Sequence, residues 1–210
     1  MKKFIILIPI FNDRESLTRL IENINLEVKD LNSKISIIVI NDASSQQIID
    51  NYPNIENINF IEIINMRENR GHARCIASGL KYIFEKKEFD FVIPMDGDGE
   101  DRPEEIINFI QLAEQSEDQT IVGVRTKRSE NLFFKLCYQA HKILTLVFAG
   151  QSIKFGNFTC LSKITIKKML NEKATWNSFS GSLKKIDNNL LSIPSVRGIR
   201  YFGPSKMSFF

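Results

Sequence analysis

The sequence predicts an α/β protein built on a doubly wound, mostly parallel sheet with helices on both faces. Three observations lead there. Strand-length and helix-length patterns alternate through the first 125 residues. The strand runs are continuously apolar, as expected where both faces of a sheet are covered. The loops after those runs gather Asp, Asn, Gly and Arg, and ligands of such sheets bind beyond the carboxyl ends of the strands.

Residues 4–10 form the first apolar run. Leu17, Leu20, Ile21 and Ile24 then recur at helical spacing, with Asn12 or Asp13 placed to cap the helix start. Residues 35–40 read as a second strand, and residues 58–64 as a third after a loop containing Pro53. Ala73, Ile76, Ala77, Leu80, Ile83 and Phe84 make a helical stripe. A fourth strand spans 91–95. Pro103 belongs in the first turn of the next helix, whose inner face is Ile106, Ile107 and Ile110. A fifth strand spans 121–124. Beyond it lie a very apolar helical segment at 131–150, a short strand at 155–161 and a helix to about Leu170. No internal repeat or low-complexity linker interrupts the chain, so residues 1–210 read as one domain.

Hydrophobic residues make up 43% and charged residues 25%, which is ordinary for a globular protein. A net charge of +3 gives no argument for nucleic acid as a partner. The three cysteines, Cys75, Cys137 and Cys160, are widely spaced and form no CxxC pattern, so buried thiols in a reducing compartment are expected. The opening MKKFIILIPIF is broken by Pro9 and Asn12 and lacks a small-residue cleavage site, which makes it a strand rather than a signal peptide. No window reaches the roughly 18 apolar residues of a spanning helix. The abrupt stop on Ser208-Phe209-Phe210, with no polar tail, suggests a domain cut from a longer chain.

The fourth strand is followed by Asp96-Gly97-Asp98-Gly99-Glu100-Asp101. Carboxylates crowded in one loop repel each other unless a cation neutralises them. Their alternate spacing lets Asp96, Asp98 and Glu100 aim at one point, and oxygen-only ligands suit Mg²⁺ or Mn²⁺ shared with a diphosphate. The plainer alternatives are a solvated acidic loop and a Ca²⁺ loop. Arg102 and Pro103 interrupt the later ligand positions of an EF-hand. After the second strand comes Asn41-Asp42-Ala43-Ser44-Ser45, where Asp42 is either a ligand contact or a helix cap. Pro9-Ile10-Phe11-Asn12-Asp13 is a rigid turn carrying an aromatic ring. Asn69-Arg70-Gly71 opens a helix whose N-terminus attracts anions, and Arg70 adds a formal charge. Each loop alone is unspecific; four at successive strand ends define one site.

In this order and spacing IPIFND, NDASS, NRGHARCIASGL and MDGDGEDRPEEI resemble the family 2 glycosyltransferases, with Asp96-Gly97-Asp98 as their DxD element. RGIRYFGPSKM resembles the closing motif of the branch containing dolichyl-phosphate mannose synthases and bacterial polyprenyl-phosphate glycosyltransferases. The resemblance covers nearly the whole chain. It implies a GT-A fold, with residues 1–125 binding a UDP- or GDP-linked sugar and 126–210 binding the acceptor. It also implies roles. Pro9, Phe11 and Asn12 flank the base and ribose, Asp42 bonds the base edge, and Arg70 lies near the nucleotide. Asp96 and Asp98 hold Mg²⁺ or Mn²⁺ and the diphosphate, with Glu100 a further ligand where relatives often place Gln. Asn41 departs from the pattern, since many relatives carry Asp there.

Relatives acting on sugar hydroxyls need a carboxylate base. From residue 150 onward the only acidic residues are Glu172 and Asp187, and neither stands in the Glu-Asp pair those relatives use. A phosphate acceptor, with a second pKa near ~6, is already a nucleophile at neutral pH and needs cations instead. Arg125, Lys127 and Arg128 follow the fifth strand, while Arg197, Arg200, Ser205 and Lys206 lie in the tail motif. Forked Arg side chains suit phosphate, although a solvated basic face is the alternative. The expectation is inverting transfer to a lipid (polyprenyl) phosphate. A saccharide hydroxyl acceptor, or an inactive nucleotide-binding partner domain, stands as its rival. The segment 131–150 is either a core helix or a helix lying on the membrane, and the second reading puts the protein on the cytoplasmic face of a membrane. His72 is expected to be an exposed polar residue, with structural roles for His141 and Trp176. The first strand is followed neither by the Gly-rich, Arg-containing loop of a nucleotidyltransferase nor by the GxGxxG of a dehydrogenase.

Overall fold

The computed structural model describes residues 1–48, 52, 55–116, 118–125 and 154–204. Arg128, Ser205, Lys206 and the apolar segment 131–150 lie outside the described residues, as do Pro53, Lys127, Cys137 and His141.

Seven strands form one sheet in the order β3-β2-β1-β4-β6-β5-β7. The first half supplies β1 (Lys3–Ile10), β2 (Lys34–Asn41), β3 (Ile61–Asn65), β4 (Phe91–Pro94) and β5 (Ile121–Arg125). Between them run α1 (Arg14–Glu27), α2 (His72–Lys86) and α3 (Ile106–Gln115). The second half adds β6 (Phe155–Ser162), α4 (Lys163–Asn171), α5 (Phe179–Ile186) and β7 (Leu191–Ser195). β1 pairs in parallel with β2 and β4, β2 with β3, and β5 with β7. β6 runs antiparallel to both β4 and β5.

The apolar runs are continuous because both faces of the sheet are covered. Phe4, Ile6 and Ile8 of β1 point to a core shared with Leu17, Leu20 and Ile24 of α1 and Phe109 of α3. Ile5 and Leu7 point the other way, toward Ile76, Leu80 and Ile83 of α2, Met169 of α4 and Leu183 of α5. Phe109 meets Phe158 of β6 edge-on, with ring centroids 4.8 Å apart, which ties the second half of the chain into the first core.

Several boundaries differ from those the sequence suggests. β3 begins at Ile61; Ile58 is buried but precedes the strand. Pro103 opens a short 3-10 turn, Pro103–Glu105, that leads into α3. Neither Asn12 nor Asp13 caps α1: Asp13 stands at the cap position without a side-chain hydrogen bond to the helix. Both side chains are engaged elsewhere, as described below. Cys75 and Cys160 are buried free thiols. Among the described residues no helix is long and apolar enough to cross a membrane.

Helix α2 lies close on the sheet because Gly79 faces β1. A Cβ at this position would sit 2.4 Å from Leu7 Cδ1 and 3.0 Å from Ile40 Cγ1. Leu7 is fully buried and has nowhere to retreat. Gly79→Val is therefore expected to destabilise the protein by about 1–3 kcal/mol despite its better helix propensity. Urea unfolding would show this as a lower midpoint with an unchanged m-value.

Candidate active site

Parallel pairing of β1 with β2 and β4, and of β2 with β3, brings their carboxyl ends to one edge of the sheet. The loops after β1 and β2 are cross-linked there. Asn12 adopts the left-handed backbone region, at φ 50°. Its Oδ1 accepts the Ser45 N–H at 2.8 Å and the Ser45 hydroxyl at 3.0 Å, while its own N–H donates to Ser44 Oγ at 2.9 Å. Ala43 is also left-handed, at φ 57°. Beside it Asn41 Oδ1 accepts the Ser44 N–H at 3.0 Å, and Asn41 Nδ2 donates to Asn65 Oδ1 at 2.7 Å. Phe11 is exposed at the rim, and Pro9 is buried within β1.

Asp42 is buried, and its carboxylate receives the loop that opens α2. Its two oxygens accept the N–H groups of Arg70 at 2.7 Å and Gly71 at 2.8 Å. Gly71 stands at the N-cap with φ 83°, where a Cβ is disfavoured, and no side chain from the helix's own cap position serves it. Asp42 thus fixes the turn that enters α2, a contact 28 residues apart that no local pattern announces. The Arg70 guanidinium pairs with Glu68. Burial pushes the Cys75 thiol well above its usual range, and the facing Asp42 carboxylate pushes it further.

In the acidic loop after β4 each of the three sequence-predicted ligands has a basic partner of its own. Asp96 Oδ1 lies 2.9 Å from His72 Nε2, and His72 Nδ1 faces Asn157 Nδ2 at 3.5 Å. Asp98 Oδ2 accepts from Arg200 Nη1 at 2.7 Å, while its Oδ1 accepts the Glu100 N–H at 3.0 Å. Glu100 pairs with Arg197. Arg200 also reaches Asp13, and so bridges the loops after β1 and β4. Arg125, exposed at the end of β5, adds positive charge felt by Asp96 and Asp101. The structure thus brings Arg125, Arg197 and Arg200 to the same loop as Asp96, Asp98 and Glu100.

Arg197 and Arg200 belong to a strap, residues 196–204, that follows β7 and lies across the acidic loop. The Gly198 N–H donates to the Glu100 carbonyl at 2.8 Å, and the Tyr201 N–H donates to the Asp98 carbonyl at 2.9 Å. Gly99 has φ 87°, and a Cβ there would lie 2.6 Å from the Tyr201 ring. The loop's second glycine is therefore needed for both its backbone conformation and its contact. Asn23 of α1 donates to the Tyr201 hydroxyl at 2.9 Å. At the strap's start, buried Glu105 accepts the Ser195 hydroxyl at 2.7 Å and the Val196 N–H at 2.8 Å.

Sequence reasoning missed Asp101, Glu105 and the contact of His72. Asp101 is buried, and its Oδ2 accepts the Asp96 N–H at 2.9 Å. Burial pushes its carboxyl well above the usual range; the charge of Asp96 adds to this, against the opposing backbone hydrogen bond. Burial likewise raises Asp98, helped by Asp96 and opposed by Arg200 and Arg197. Burial would raise Asp96 too, but the His72 hydrogen bond and the charges of His72, Arg197 and Arg125 outweigh it and hold Asp96 low. Desolvation lowers His72, yet the hydrogen bond and charge of Asp96, with Asp98 and Asp42 behind it, leave its pKa raised.

Among the described residues no three His, Cys, Asp or Glu side chains converge as a ready-made metal cage. The chemistry of the donor set nevertheless fits a hard divalent cation. It is all oxygen, burial and then the charge of Asp96 raise Asp98 and Asp101, and basic groups of the protein itself already face it. The two late acidic residues serve other contacts. Glu172 pairs with Lys185, and Asp187 accepts the Thr165 hydroxyl at 3.1 Å. Trp176 is half-buried in the 3-10 turn Lys173–Trp176.

A parallel sheet with one antiparallel strand inserted beside β4, and an acidic loop at the end of β4, is the GT-A arrangement of glycosyltransferases. Solved structures agree. The mannosyltransferase PcManGT from Pyrobaculum calidifontis, in complex with GDP-Man and Mn²⁺, superposes with a TM-score of 0.63 at 15% identity, covering 93% of this chain and 56% of that one. S. aureus TarS 1-349 in complex with UDP-GlcNAc gives 0.60 at 13% identity, covering 96% and 60%. The sequence profile of glycosyl transferase family 2 matches residues 5–181, and the chain belongs to that family. Curated relatives include undecaprenyl-phosphate 4-deoxy-4-formamido-L-arabinose transferases. The one from Proteus mirabilis is 25% identical over the whole of this chain, and the one from Photorhabdus laumondii is 28% identical. The chain spans 64% of the length of each. The Yersinia pestis relative is 30% identical over 77% of this chain and 48% of its own length.

Asp101 gives a prediction whose sign follows from its raised pKa. The folded state holds the proton that the unfolded chain releases near ~3.9, so this group's contribution falls as pH rises through its folded value. Asp101→Asn keeps an acceptor for the Asp96 N–H and removes the titration. The stability of the variant relative to wild type should rise as pH is raised above the ordinary carboxylate range. A difference in urea midpoints that does not change with pH above that range would refute the assignment.

Proposed function

We propose that this chain is the catalytic domain of a metal-dependent, inverting glycosyltransferase that moves a sugar from a UDP- or GDP-linked donor to a lipid (polyprenyl) phosphate. The observation that carries the reading is the meeting of the Asp96–Glu100 loop with Arg125, Arg197 and Arg200 at the carboxyl edge of the sheet. Such a site offers carboxylates for a cation-bound diphosphate beside guanidinium groups for a second anion. Family membership supports it, as do relatives whose names specify undecaprenyl phosphate. Neighbouring structures hold GDP-Man with Mn²⁺ or UDP-GlcNAc.

In this reading Asp96 and Asp98 hold Mg²⁺ or Mn²⁺, with Glu100 as a further ligand. When bound, that ion would neutralise the diphosphate and assist its departure. The chain's own residues do the rest. The Asn12–Ser45 cross-link and Phe11 shape the nucleoside end of the site, with Asp42 ordering the Arg70-Gly71 turn beside the phosphates. Arg70, freed from exposed Glu68, adds charge at the α2 N-terminus. The acceptor phosphate oxygen attacks the anomeric carbon from the face opposite the leaving nucleoside diphosphate. It needs no carboxylate base, consistent with Glu172 and Asp187 being committed to Lys185 and Thr165. Arg125 and Arg128, with Ser205 and Lys206 of the tail motif, complete the acceptor site. The lipid acceptor puts the domain at the cytoplasmic face of a membrane.

Calorimetric titration of UDP and GDP, with and without Mn²⁺, tests the donor site. Metal-dependent binding of one nucleotide is expected, and no binding of either with metal present would overturn the reading. Asp98→Ala should lower transfer by about 10²–10³-fold, the usual worth of a group that stabilises transition-state charge. Polyprenyl phosphate and saccharide acceptors, assayed side by side, separate the phosphate reading from the hydroxyl one.

A further inference from the structure

Three large apolar side chains stand exposed within the strap: Val196 at 45%, Ile199 at 89% and Phe202 at 46%. Scattered exposed apolar residues are ordinary on a globular surface. These three are not scattered. They recur at every third position, and each of the first two is followed by an arginine that turns inward. The Arg197 and Arg200 side chains are only 28% and 15% exposed, and they pair with Glu100 and Asp98. Arg200 Nε also donates to the Phe202 carbonyl at 3.0 Å, which ties the inward guanidinium to the backbone of an outward ring. The strap is thus a ribbon with two faces, guanidinium groups toward the acidic loop and hydrocarbon toward solvent.

Such a ribbon matches an amphiphile. Resting on the phosphate-acceptor reading above, we propose that Ile199 and Phe202, flanked by Val196, receive the first isoprene units of the acceptor's chain as it leaves the site. The phosphate lies on the arginine side of the same ribbon. The two faces are one backbone apart, a gap that a short run of isoprene units crosses. Hydrocarbon laid on these side chains removes apolar surface of both partners from water. A soluble phosphate would use only the arginines, and a protein partner would cover the apolar side without needing the phosphate. A prenyl phosphate uses both. The strap does not need Ile199 to hold its own shape. Its start is fixed by Glu105, which accepts the Val196 N–H. The Gly198 and Tyr201 amides bind carbonyls of the acidic loop, and the Tyr201 ring packs inward on Gly99. An exposed aliphatic side chain on a segment anchored by its other residues is available to a ligand.

Binding to two probes tests this on the full chain, with and without Mn²⁺ and UDP or GDP. One probe is dimethylallyl phosphate, a headgroup with a single isoprene unit, followed by calorimetry. The other is a long-chain polyprenyl phosphate at low mole fraction in phosphatidylcholine vesicles, followed by co-sedimentation. Ile199→Ser should bind these vesicles about 10-fold more weakly than wild type, the effect of one aliphatic side chain losing part of its hydrocarbon contact. It should bind dimethylallyl phosphate as wild type does. The double variant Ile199→Ser/Phe202→Ser should bind the vesicles more weakly still. Equal vesicle binding by wild type and Ile199→Ser would overturn the inference. So would an equal loss toward both probes, or wild-type binding to phosphatidylcholine vesicles that is no weaker without polyprenyl phosphate. In each of those cases wild-type binding of dimethylallyl phosphate leaves the phosphate-acceptor reading standing. If wild type binds neither probe under either condition, that reading and the inference fall together.

Discussion

The mutual repulsion of Asp96, Asp98, Glu100 and Asp101 is the constraint on which the rest of the site depends. Four carboxylates within six residues, three of them desolvated, cannot all remain charged without compensation. The protein meets this in two ways. It supplies His72, Arg197 and Arg200 as direct partners, and burial, with the charge of Asp96, raises the pKa of Asp101. The partners tie distant elements to the β4 loop: α2 through His72, the strap through its arginines. The crowding that suits the loop to a divalent cation is also what gathers the site around it.

That dependence explains what was legible beforehand and what was not. The fold could be read because burial on both faces forces continuous apolar strands, and residues 4–10 of β1 supply both cores by simple alternation. The acidic loop, the Asn69-Arg70-Gly71 turn and the Asn12 and Asp42 loops were visible as chemistry at strand ends. Their partners were not. Asp98 and Arg200 are 102 residues apart, and Ser195 and Glu105 are 90 apart. Pairings at that distance leave no periodicity to detect. The direction of β6 was equally invisible, since an apolar run has no polarity. β7 escaped notice because it is short and contains Pro194, a residue tolerated there because β7 is the edge strand of the sheet.

Local rules failed where the site overrode them. Asn12 and Asp13 look like caps for α1, and by propensity either would serve. Asn12 instead spends its oxygen on Ser45, and Asp13 its carboxylate on Arg200, so α1 begins without a side-chain cap. At α2 Gly71 can offer no side-chain cap, and Asp42 at the end of β2 holds the turn that enters the helix instead. Capping residues spent on neighbouring loops mark positions where the backbone is arranged around the site rather than for helix stability.

Asp42 shows how one buried charge can order a neighbouring turn through the backbone. Its carboxylate is fixed by two backbone amides at a helix N-terminus, where the dipole favours negative charge, and it keeps the Cys75 thiol protonated beside it. The amides of Arg70 and Gly71 are thereby oriented before any ligand arrives. An anion approaching that helix meets a turn whose shape is already set, so less ordering cost falls on binding.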